Sequence, residues 1–204
     1  MQKEQFDPEK YEITFEKPDK KLPKIESDID LIWSKVSYQV AGKTVLDNLE
    51  GYALHGQITA IMGSSGAGKT SLLNALSCRI DRKWSSKISG EIFANEVKLT
   101  NSLFGKIAAY VTQQDILMET LTPRESFIFT ANLKLDLPFP ERIEKVNEII
   151  SSLKLEKCMD TKIGNALEKG ISGGEKRRVS IGIELISDPF ILFLDGIFMF
   201  FKDF

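Results

Sequence analysis

Apolar and polar positions begin to alternate near Asp30, and the stretches DLIWSKVSYQV and TVLDNLEGYAL predict short strands. GQITAIMG is a continuous apolar run that predicts a strand entering a glycine-rich turn, and in TSLLNALSCRI the residues Leu72, Leu73, Leu76 and Ile80 recur at helical spacing. ISGEIFANEVKLT predicts a hairpin turning at Ala94-Asn95, and KIAAYVTQ predicts a further buried strand ending at Gln113. Between Gln113 and Ser172 the period becomes helical. Thr122 and Glu125 form a capping box with Pro123 at the first helical position of FIFTANLKL, because a hydroxyl and a carboxylate three residues apart satisfy each other's backbone N–H groups. A second helix follows Pro140 with Ile143, Val146, Ile150 and Leu153 on one face, and a third starts at Ser172, capped by Glu175, and stops at Asp188-Pro189. FILFLD then predicts a strand buried on both faces. This order is that of a mixed α/β core interrupted by a helical subdomain, without internal repeats.

Composition narrows the function classes mainly by exclusion. A chain of 204 residues with 42% hydrophobic and 27% charged residues can bury one substantial core or a core plus a small subdomain. A net charge of -2 supplies no basic field for nucleic acid. Residues 1–28 are rich in Lys, Glu, Asp and Pro without apolar periodicity and read as a disordered polar leader without a secretory h-region. The most apolar stretch, Ile191 to Phe201, is interrupted by Asp195 and falls short of the roughly 20 residues that span a bilayer. Cys78 and Cys158 lie far apart with no CxxC pairing, which fits small buried side chains in a reducing compartment.

Three segments carry chemistry. GSSGAGKT, comprising Gly63, Ser64, Ser65, Gly66, Ala67, Gly68, Lys69 and Thr70 and continued by Ser71, satisfies the phosphate-loop pattern G-x-x-x-x-G-K-[ST] at every fixed position. Glycines let backbone N–H groups turn inward around phosphates, and the following helix points its positive end at them. Lys69 is expected at the β and γ phosphates of ATP, and the Thr70 hydroxyl on Mg²⁺. In ISGGEKRRVSIGIELI, the residues Ser172, Gly173 and Gly174 open a helix; this is either a second anion-binding end or simply a well-capped helix. Asp195, ending the apolar ILFLD, can reach a metal beside the phosphate loop, or it can be an ordinary turn residue.

Taken together, in this order and spacing, the three segments resemble the nucleotide-binding domain of ATP-binding cassette proteins from about Asp30 to Asp195. GSSGAGKT is similar to the family's Walker A, Gln113 in YVTQQD to its Q-loop glutamine, SGGEK to its signature, and ILFLD to its Walker B. IMGSSGAGKTSLLNAL, LTPRESFIFTANLKL and RRVSIGIELI resemble the G, or White-like, half-transporters. The resemblance implies a P-loop NTPase core with an antiparallel β subdomain and an inserted helical signature subdomain at about 115–187 within a cassette of 29–195. It implies Lys69, Gln113 and Asp195 as catalytic residues, and Thr70, Gln113 and Asp195 as Mg²⁺ ligands. It also implies that Ser172, Gly173, Gly174 and Glu175 reach the γ-phosphate held by a second cassette, in a homo- or heterodimer, and that Gln113 links the site to a transmembrane domain not found on this chain. The expected location is the cytoplasmic side of a membrane, and the expected cargo a lipid, sterol, pigment or drug. Tyr38 and Val40 compete for the place where the family stacks adenine.

The chain departs from this pattern after Asp195. Gly196 stands where the family has the glutamate that polarises the attacking water, a change that costs roughly 10²- to 10⁴-fold in rate when a general base is lost. The sole histidine, His55, precedes the phosphate loop and is not a switch histidine. The segment 196–204, GIFMFFKDF, is a divergent hydrophobic tail, read as sequence without functional consequence rather than as a docking segment, and the fold is expected to be incomplete at its C-terminal side. The rival to a transport ATPase is therefore a non-hydrolysing ATP-binding module that pairs with an intact half-transporter.

Overall fold

Strand β1 (Leu31–Val40) is flanked by β2 (Lys43–Ala53) and β3 (Ser86–Ala94), and β3 pairs in turn with the short β4 (Val97–Lys98), giving an antiparallel sheet of order β2-β1-β3-β4. The computed structural model describes residues 28–80, 86–165 and 167–196, so most of the expected leader and tail lie outside the described residues. Between β2 and β3 runs helix α1 (Lys69–Leu76), and after β4 come α2 (Asn101–Ile107), β5 (Ala108–Val111), α3 (Pro123–Lys134), α4 (Phe139–Ser152), α5 (Gly173–Leu185) and β6 (Ile191–Leu194). The fold is mixed α/β, with an antiparallel sheet and a run of helices.

The chain divides into two compact units. One comprises the described residues up to Tyr110 together with 189–195, and the other comprises 111–188 together with Gly196. The first has its own core, in which Leu31, Trp33 and Val36 of β1 pack with Leu76 of α1 and with Ile107, Tyr110 and Phe193. The alternating burial of β1 reflects the two faces of a pleated strand, one turned to this core. A two-stranded sheet of β5 and β6 belongs to it, with Phe193 stacked on Tyr110 at 6.2 Å between ring centroids and tilted against Phe104 at 5.6 Å.

The second unit is helical. Phe127 and Ile128 of α3, Val146 and Ile150 of α4, and Val179 of α5 form its core with Leu155 and Ile163. The helices α3 and α5 approach closely because Gly182 has no side chain; a Cβ there would lie 2.6 Å from Phe127 Cζ. Both expected capping boxes are present, Thr122 with Glu125 and Ser172 with Glu175, and Pro123 opens α3. Helix α4 starts at Phe139, ahead of the expected start after Pro140, and of its expected face Val146 and Ile150 are buried while Ile143 and Leu153 are half-buried.

Several local expectations are corrected. GQITAIMG forms no strand: residues 57–63 have no ladder partner among the described residues, and Ile58 is fully exposed. An extended segment gains its hydrogen bonds only from neighbours, so apolar composition alone does not make it a strand. KIAAYVTQ is shared between two elements, because the Thr100 hydroxyl accepts from Leu103 N–H and caps a helix that runs to Ile107, leaving only Ala108–Val111 as strand. The hairpin turns at Asn95-Glu96, one residue later than expected, with Asn95 taking the positive φ. Helix α1 stops at Leu76, before Ile80. FILFLD is less buried than expected: Phe193 is buried, whereas Ile191, Leu192 and Leu194 are half-buried and Phe190 is exposed.

Candidate functional site

Gly68 takes φ +91, a left-handed conformation available at little cost only without a Cβ, and it starts α1 with no side-chain cap on the helix. The first N–H groups of α1 are thus left for an anion, and the first turn holds no acidic residue to repel one. Residues 63–67 are exposed, so a soluble anion can reach them. The half-buried Lys69 lies back along the loop, its Nζ donating to the carbonyls of Gly63 at 2.9 Å and Ser64 at 2.7 Å.

Asp195 is buried at the end of β6, and 125 residues separate it from Thr70, whose Oγ1 donates to its Oδ1 at 3.1 Å. Its other oxygen, Oδ2, accepts from the Tyr110 hydroxyl at 3.3 Å. The Arg79 guanidinium lies 4.6 Å from the centroid of the Tyr110 ring. Burial, and after it the charge of Asp195, pushes the Tyr110 hydroxyl up to about 12, which keeps it a proton donor. The expected pair Thr70 and Asp195 is brought together; Tyr110 is a member of the cluster that sequence reading missed. Tyr38 packs against the core of this unit instead of standing free.

Gln113 belongs to the helical unit, exposed in the turn after β5. That turn is pinned by Arg177 of α5, which donates through Nη1 to the carbonyl of Thr112 and to Asp115 Oδ1, the latter at 3.1 Å. Arg177 is buried although nothing in its local spacing marks it so. Gly196 has φ +77, and a Cβ on it would lie 2.8 Å from Gln113 Cγ, so a larger residue there would displace the glutamine. The expected catalytic glutamate position is thus a glycine in a left-handed turn.

At the start of α5 the Ser172 hydroxyl and N–H both lie 2.7 Å from Glu175 Oε2, and Gly173 has open space where a side chain would be. Hydrogen bonds from the Ser172 hydroxyl and then its backbone N–H hold the Glu175 carboxyl below its ordinary value of 4.5, against the burial that raises it. The buried Cys158 thiol is pushed up to about 11 by burial first and by the Glu175 charge second, so it stays neutral. A depressed carboxylate pKa contributes stability that is present above the unfolded value and lost as pH falls through the folded one. The thermal midpoint of the chain is therefore expected to fall as the pH drops below the ordinary carboxylate value of 4.5, and Glu175→Gln to flatten that dependence when followed by circular dichroism. An identical slope in the variant would remove Glu175 from the account.

Residues 46–198 match the family model described as ABC transporter. The chain is 45% identical over 157 residues to "ABC transporter G family member 1" of Dictyostelium discoideum, an alignment covering 75% of this chain and 19% of that protein. It is 42% identical over 156 residues to "ABC transporter G family member 18" of Arabidopsis thaliana, covering 75% and 22%. A "Probable ATP-dependent permease" of Saccharomyces cerevisiae is 43% identical over 155 residues, covering 75% and 14%. The chain thus spans about a fifth of the length of the two G family relatives. Among the described residues, no helix is long and apolar enough to cross a membrane.

Proposed function

The chain belongs to the ABC transporter family as an ATP-binding domain of the G-subfamily kind, and from that premise we propose that it binds MgATP on the loop from Gly63 to Ser71 and serves ATP-driven transport across a membrane. The observation that carries this reading is the meeting of Thr70 and the buried Asp195 at the uncapped start of α1. A hydroxyl and a carboxylate are hard oxygen donors of the kind Mg²⁺ takes. Among the described residues no group of three or more His, Cys, Asp or Glu could hold a metal unaided, so the remaining oxygens would come from phosphate and water, as is usual for this ion. When bound, Mg²⁺ supplies neutralisation of the charge on the β and γ phosphates.

Within this reading, the backbone N–H groups from Ser65 to Thr70 and the Lys69 ammonium hold the phosphates, and Thr70 and Asp195 hold the metal. Ser172 to Glu175 act on nucleotide bound by a second cassette, and Gln113 serves communication with membrane-spanning segments. The cargo class, a lipid, sterol, pigment or drug-like molecule, rests on the G-subfamily resemblance.

Gly196 favours a second reading, in which the chain binds ATP without hydrolysing it and pairs with or regulates an intact half-transporter. The full chain, titrated with a fluorescent ATP analogue with Mg²⁺ and with EDTA, is expected to bind more tightly with the metal, and Asp195→Asn to lose that gain. A folded sample with no nucleotide affinity would refute both readings. Phosphate release by the wild type that Asp195→Asn abolishes selects the ATPase; binding without release selects the second reading.

A further inference from the structure

The two oxygens of Asp195 are held from two different elements. Oδ1 accepts from Thr70 on α1 at 3.1 Å, and Oδ2 accepts from Tyr110 on β5 at 3.3 Å. A carboxylate with one donor can still rotate about its Cβ–Cγ bond; a second donor on the other oxygen removes that freedom. Tyr110 is itself immobilised: it is buried, its ring stacks on Phe193 at 6.2 Å and 16°, and Phe193 lies two residues before Asp195 on β6. Arg79 adds a cation 4.6 Å from the same ring. The packing of the ring and the orientation of the carboxylate are therefore one mechanical unit.

On the reading that this site holds MgATP, the geometry points to Tyr110 as a positioning residue that turns Asp195 so that its Thr70-side oxygen faces the metal beside α1. It does not touch nucleotide or metal in this role. A tyrosine that merely satisfied a buried carboxylate would affect folding; a positioning tyrosine affects metal binding and leaves metal-free nucleotide binding alone.

The test uses Mn²⁺ as a spectroscopically countable stand-in for Mg²⁺, titrated into the ATP-saturated full chain and followed by electron paramagnetic resonance. Tyr110→Phe keeps the ring and removes only the hydroxyl. Loss of a hydrogen bond to a charged group is expected to raise the Mn²⁺ Kd about tenfold, while ATP affinity in EDTA stays within about twofold of wild type. In an Asp195→Asn background the same substitution is expected to add nothing, because Tyr110 acts through Asp195. An unchanged Mn²⁺ Kd, an equal loss of affinity in EDTA, or an additive effect with Asp195→Asn overturns the proposal. A wild-type chain that binds ATP with no gain from metal overturns the MgATP reading itself, and this proposal with it. Should Tyr110→Phe not fold, wild-type chain carrying fluorotyrosine decides instead: one ¹⁹F resonance must move when Mg²⁺ is added to the ATP-saturated protein, and none moving overturns it.

Discussion

Lys69→Ala is expected to weaken MgATP binding by about tenfold to a hundredfold while the chain stays folded. The ammonium spans the phosphate loop, reaching the carbonyls of both Gly63 and Ser64. An ammonium in that position can transfer its hydrogen bonds to phosphate oxygens, and each such bond to a charged group is worth about 1.5–3 kcal/mol. Alanine is the best helix former, so α1, which Lys69 opens, loses nothing in propensity. The two carbonyls it releases lie in an exposed loop and turn to water. Titration with a fluorescent ATP analogue, alongside a thermal melt, checks this. Unchanged affinity in a folded sample would show that the loop is not where the nucleotide binds.

Arg177→Met is expected to destabilise the helical unit by about 2–4 kcal/mol and to loosen the turn that carries Gln113. The guanidinium side chain is 5% exposed and holds both the Thr112 carbonyl and Asp115. Breaking a buried ion pair from one side costs about 3–5 kcal/mol, because the remaining partner is left uncompensated. The Asp115 side chain is 24% exposed and can regain some hydration, which places the expectation at the lower end. Asp115→Asn keeps a hydrogen-bonding oxygen and should cost about 1 kcal/mol. Urea unfolding gives the stabilities, and amide exchange at Gln113 to Asp115 reports the turn. Faster exchange there in Arg177→Met, without comparable loosening of α4, is the expected pattern. A change below about 0.5 kcal/mol with unaltered exchange would mean that Arg177 does not hold the turn.

What could be read directly from the sequence was whatever closes over a few residues. The capping boxes of α3 and α5 have both partners three residues apart, so Thr122 with Glu125 and Ser172 with Glu175 were visible as written. The glycine pattern of the phosphate loop is equally local, and so is the apolar spacing that makes Val146 and Ile150 one face of α4. The family resemblance rested on GSSGAGKT, Gln113, SGGEK and ILFLD in that order, and the match over residues 46–198 bears it out.

Everything that needed a distant partner was decided by the tertiary structure. GQITAIMG has the composition of a strand, yet strand formation depends on a neighbouring backbone that its own residues cannot specify. Thr70 and Asp195 meet across 125 residues, and Arg177 reaches Thr112 across 65. The family resemblance put Thr70 and Asp195 at one metal, but no spacing rule announces the Arg177 contact, nor that Tyr110 takes the second oxygen of Asp195. The sequence by itself determined helices α3, α4 and α5, the caps of α3 and α5, and the glycine-rich turn before α1, because hydrogen bonds within a turn are encoded within a turn. Which carboxylate oxygen faces which donor, which arginine is buried and which apolar run finds no strand partner among the described residues were settled only by the folded chain, where long-range packing selects among local options that are nearly equal in energy.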